Sequence, residues 1–71
     1  MPTAPKEHLG QRLRTLRLDK GLTQQELADR TNVSQAAVAA WESGASHPSR
    51  TSQRLLVEIL DAAPSIFWDA A

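Results

Sequence analysis

Thr23 and Glu26 place a hydroxyl and a carboxylate at the spacing of a capping box, in which each satisfies a free backbone donor at a helix start. Eleven residues after Thr23, Ser34 offers a second hydroxyl ahead of a second apolar run. Leu22 and Leu27 flank the first cap, and Val33 and Val38 the second, at the spacing of a hydrophobic staple. No proline separates the two caps. Two capped helices this close, within the stretch from Thr23 to Gly44, predict a helix-turn-helix. The second helix of such a motif is shaped to enter a DNA major groove. Other chemistry has little to work with. The chain has no cysteine, and His8 and His47 lie too far apart in sequence to suggest a metal pair. No nucleophile, base or metal constellation appears, so neither an enzyme nor a cofactor or small-molecule site is expected.

The elements that must position these groups read as helices throughout. Residues 1–7, with two prolines, are expected to form a loose arm, and residues 8–71 one domain. Leu9, Leu13 and Leu16 make one apolar stripe along a first helix over about 8–20, with Gly21 as its left-handed cap. A second helix over 24–31 turns Leu27 and Ala28 inward. Asn32 takes the bend, where a positive φ is wanted. A third helix over 35–43 carries Val38 and Trp41 on its core face and stops at Gly44. Residues 45–50 form a turn-rich loop. Leu55, Leu56, Ile59, Leu60 and Ala63 predict a continuous inner face on a fourth helix over 51–62. Pro64 is expected in the first turn of a short fifth helix.

Size and charge narrow the class. A chain of 71 residues makes a small domain with a marginal core, which dimerisation would reinforce. No apolar run approaches the roughly 20 residues of a membrane span. The first residues lack an apolar signal region, so a cytoplasmic address is expected. Net charge is zero, a mild argument against nucleic acid, but its distribution is polarised. Lys6, Arg12, Arg14, Arg17 and Lys20 against Glu7 and Asp19 leave residues 1–25 at +3. Residues 26–55 balance, and Glu58, Asp61 and Asp69 leave residues 56–71 at −3. A basic front and an acidic back suit a protein that turns one face to phosphate.

The segments LRLDKGLTQQELA and VSQAAVAAWESG, the proline that follows and a leucine-rich helix resemble the Cro/cI-type, or XRE, helix-turn-helix family. The resemblance covers residues 9–68, and the end of the chain is similar to antitoxin-like and mobile-element regulators. It implies an all-α, compact five-helix, lambda-repressor-like domain that binds double-stranded operator DNA as a homodimer and regulates transcription as a repressor.

Roles follow residue by residue from that resemblance. Gln35, Ala36 and Ala40 match base-facing positions of the recognition helix. A glutamine amide can donate to and accept from adenine at once, whereas the alanines can only pack against thymine methyls or admit close approach. That departure from the long polar side chains of the family shifts weight toward DNA shape. Thr23, Gln24 and Ser34 match phosphate contacts at helix starts, and Arg14, Arg17 and Arg50 are further phosphate candidates. Arg17 and Glu42 match a family ion pair between the first and third helices. Ile66, Phe67 and Trp68 are three large apolar residues in a row, expected at a dimer interface, with a terminal lid on the same core as the rival reading. The rival functions are a toxin-binding antitoxin and a protein-binding module on the same fold. The module has the zero net charge and the alanine-rich third helix in its support, and salt-dependent DNA binding separates it.

Overall fold

Four helices, α1 (Pro5–Asp19), α2 (Gln24–Thr31), α3 (Gln35–Ser43) and α4 (Arg50–Leu60), and one terminal helical turn, α5 (Ile66–Asp69), make up the computed structural model. It describes residues 5–69, and side chains over 9–67, and no strand occurs among them. α1 packs on α3, α2 on both α3 and α4, and α5 on α1. The core between them holds Leu9, Leu13, Leu22, Leu27, Ala28, Val38, Trp41, Leu56, Leu60 and Phe67.

Local chemistry sets the ends of the middle helices. The Glu26 amide donates to Thr23 Oγ1 at 3.0 Å and the Thr23 amide to Glu26 Oε1 at 2.8 Å, which closes the capping box. Asn32 then turns the chain with φ 63°, and Ser34 Oγ accepts from the Ala37 amide at 3.1 Å to start α3. Gly21 and Gly44 end α1 and α3 with positive φ, and Leu22 after the first of them turns into the core.

Several boundaries depart from the sequence reading. α1 begins at Pro5, three residues before the expected start, because proline gives up no helical hydrogen bond in a first turn. Residues 1–4 of the expected arm lie outside the described residues. α4 starts at Arg50 because Ser49 caps it, accepting from the Ser52 amide at 3.2 Å. It stops at Leu60 because Asp61 adopts φ 55°. Its inner face is therefore narrower than five residues. Ser52, Leu56 and Leu60 line it at helical spacing with Ile59 alongside, while Leu55 stands outside the core and Ala63, beyond the helix end, is exposed. Pro64 precedes α5 in a turn rather than opening it, and the Phe67 amide donates to its carbonyl at 3.2 Å.

The crossing of α1 over the end of α3 depends on Gly10, which carries no sequence signal beyond being a glycine inside a helical pattern. A Cβ there would come within 2.7 Å of the Trp41 carbonyl oxygen and closer still to that of Glu42. The missing side chain lets two helix backbones touch where Glu42 must meet α1.

Candidate nucleic-acid interface

Both helix starts of the motif are exposed at their capping residues. Thr23 and Ser34 use their hydroxyl oxygens to accept from Glu26 and Ala37. Both starts lie next to backbone amides whose partial positive charge suits an anion. One shallow hollow is lined by Arg17, Leu18, Thr23, Gln24, Gln25 and Gln35, so the start of α2 and the first residue of α3 share a surface. Leu18 is 54 % exposed at its rim.

A hydrogen-bonded chain runs beneath that surface. Arg17 on α1 grips Glu42 on α3 with Nε to Oε2 at 2.6 Å and Nη2 to Oε1 at 3.1 Å. Its third contact is Nη1 to the Leu22 carbonyl at 2.8 Å. The two side chains are 8 % and 6 % exposed, so the pair lies almost wholly out of water. The hydrogen bond that Arg17 donates to Glu42 raises the Arg17 pKa above its ordinary value, against the opposing effect of burial. Gln24 Nε2 donates to Glu42 Oε1 at 3.1 Å, and Gln35 Nε2 donates to Gln24 Oε1 at 2.8 Å. The link from Gln24 to Glu42 has no counterpart in the sequence reading, because residues 18 apart meet only once α3 is folded across α2.

The other candidates fall as follows. Gln35 and Ala36 are exposed at the start of α3, and Ala40 is half-buried one turn on. Arg14 and Arg50 are exposed, Arg14 on α1 and Arg50 at the start of α4. Arg50, Arg54, His47, Val57, Pro64 and Phe67 line a second groove of about 710 Å³. Phe67 is 6 % exposed in the core and meets His47 edge-on, with ring centroids 6.5 Å apart. Ile66 is half-buried against the core, and the Trp68 side chain lies outside the described residues. Glu26 is fully exposed, and backbone and hydroxyl hydrogen bonds from Thr23 hold its carboxyl below the usual range. No described helix is long and apolar enough to cross a membrane.

Known proteins resemble this chain in sequence and fold. Residues 8–65 match the family described as Helix-turn-helix domain. The HTH-type transcriptional activator BcrR of Enterococcus faecalis is 39 % identical over 46 residues, 65 % of this chain and 22 % of that protein. The chain thus spans about a fifth of the length of this curated relative. The restriction-modification controller protein C.AhdI from Aeromonas hydrophila superposes with a TM-score of 0.81 at 34 % identity, over 92 % of this chain and 98 % of its own. The clp gene regulator ClgR from Corynebacterium glutamicum superposes with a TM-score of 0.81 at 31 % identity, over 97 % and 73 %.

Proposed function

The chain belongs to the helix-turn-helix domain family, and from that premise we propose that it is a DNA-binding transcriptional regulator of the XRE type that represses as a homodimer on a two-fold operator. The observation that carries this reading is the shared surface of Thr23, Gln24 and Gln35. It sets phosphate-binding helix starts beside the only long polar side chain among the base-facing candidates of α3. In this reading α3 enters the major groove. Gln35 addresses a base edge, Ala36 and Ala40 admit close approach, and Thr23, Gln24, Ser34, Arg14 and Arg50 hold phosphates. Arg17 acts through its pair with Glu42, placing α1 against α3. α5 takes the place of the family's fifth helix.

The second copy is assigned to the acidic C-terminal turn, around Ile66, Phe67 and Trp68, on the ground that DNA attracts the basic α1 and repels this end. Phe67 fixes that turn to its own domain. Repression follows from occlusion, because a dimer seated on an operator covers the duplex that a polymerase needs. Recognition helices in such dimers lie about 34 Å apart, one turn of DNA. Footprinting with sedimentation should find a two-fold site covered by two copies, and transcription from that promoter should fall. A monomer on a single asymmetric half-site, or a rise in transcription, would overturn the reading. The near-complete cover of C.AhdI favours a second setting, a restriction-modification controller.

A further inference from the structure

We propose that a second copy of this chain lies antiparallel along α4, with Arg54 of each copy facing Glu58 of the other. The proposal rests on the homodimer reading above and gives that dimer its register. Ser52, Leu56 and Leu60 turn one side of α4 into the core, and Arg54 and Glu58 stand exposed on the opposite side. Residues four apart share a helix face, so these two are placed to pair with each other. They do not: among the described residues, neither side chain enters a salt bridge. A basic residue four positions before an acidic one is the weaker order for a pair within a helix. Half-buried Leu55 and Val57 flank the charged row, one on each side at helical spacing. Leu55 has no place in the core cluster, so folding leaves part of its apolar surface open to water.

This row is complementary to itself under a two-fold. In such a contact, a residue i that meets residue j of the other copy is matched by j meeting i. Two antiparallel α4 helices centred on Leu56 bring Arg54 level with Glu58 in both directions, because the two lie equally far from that centre. The same axis sets Leu55 against its own copy on one side of the charges and Val57 against its own copy on the other. A parallel arrangement would set arginine against arginine and glutamate against glutamate. Exposed ion pairs add little affinity; what they fix is direction and register, since the wrong arrangements bring like charges together. Arg54, Val57 and Glu58 also line the groove shared with Pro64 and Phe67, so the row runs on into the C-terminal turn already given to the second copy. Arg50, one turn earlier, takes no part in the pairing and keeps the phosphate role given above.

Sedimentation equilibrium of the full chain tests this with Arg54→Glu, Glu58→Arg, the double variant, and an equimolar mixture of the two single variants. Both positions are exposed, so each variant should fold, which circular dichroism checks. Each single substitution sets like charges together at both contacts and should weaken the dimer about tenfold. The double variant restores opposite charges across the interface and should recover most of that loss. The mixture separates a contact between copies from an effect within one helix. Each single variant carries like charges within its own α4, so only opposite charges across the interface can return the mixed dimer to near wild-type strength. If the wild type dimerises and both single variants match it, the register is overturned and the homodimer reading stands. If the single variants are weak and their mixture is no stronger, the charges act within one helix and the proposal is again overturned. A wild type that stays monomeric at every concentration, with operator DNA or without, overturns the homodimer reading and takes the register with it.

Discussion

Gln35 carries the heaviest single expectation in the proposed interface, since its neighbours at the other base-facing positions are alanines. Gln35→Ala should cost about 1–3 kcal/mol on the preferred operator and relax selectivity at one base pair per half-site. Selection from a random pool checks it, and an unchanged motif would remove Gln35 from the groove. Glu26 makes a smaller, pH-dependent contribution. Its hydrogen bonds with Thr23 favour the ionised form, so its folded pKa lies below the unfolded one. The stability this supplies is complete above the usual carboxylate range and is lost as pH falls through the lowered folded value. The melting-temperature gap between the wild type and Glu26→Gln should therefore narrow on acidification. A gap that widens in acid would contradict the capping role.

Two contacts decide how the elements sit. In an exposed helix Gly→Ala gains about 1 kcal/mol of propensity, which would favour Gly10→Ala. At this crossing the added methyl meets the Trp41 and Glu42 backbone carbonyls, which cannot swing aside as a flexible side chain does. Overpacking costs about 1–3 kcal/mol, so the sign reverses and urea denaturation should show a net loss. The same substitution should loosen the Arg17–Glu42 pair, because α1 and α3 separate there. At the other end, Phe67 closes the core beneath α5. Phe67→Ala should destabilise by about 3 kcal/mol, the low end for such truncations because a single terminal turn can detach. Sedimentation of the same variant tells packing from assembly. A monomer with unchanged melting would place Phe67 in the interface, and a less stable dimer would place it in the core alone.

At the scale of the whole molecule, zero net charge conceals a division between a basic front and an acidic back. DNA binding depends on the charges that face phosphate, and counterion release makes affinity fall steeply with salt even for a neutral protein. Arg14→Ala and Arg50→Ala should each weaken all sequences alike and reduce the salt slope by about 1. Titrations at several salt concentrations measure this directly, and a salt-independent affinity would favour the protein-binding rival. The described domain extends 33 × 22 × 22 Å, so two copies side by side can hold their α3 helices about one DNA turn apart.

The caps and left-handed residues of the helix-turn-helix were legible in order, because each is a local event among residues a few positions apart. Thr23 with Glu26, Ser34, Asn32 and Gly44 specify α2, the bend and α3 without help from the rest of the chain. The family resemblance likewise lay in that spacing. Where a boundary slipped, as at Pro5 and Asp61, the helix ended at a local signal that the reading had placed elsewhere. Tertiary structure alone decided what depends on distant segments meeting. It set Gly10 against the end of α3, left Leu55 outside the core, and put Phe67 inside it. It also joined Gln24 to Glu42, and so the buried ion pair to the exposed amide of Gln35. Periodicity along one helix reports which residues turn inward together. It carries no information on which partner each will meet, because that depends on the angle and closeness at which the helices cross.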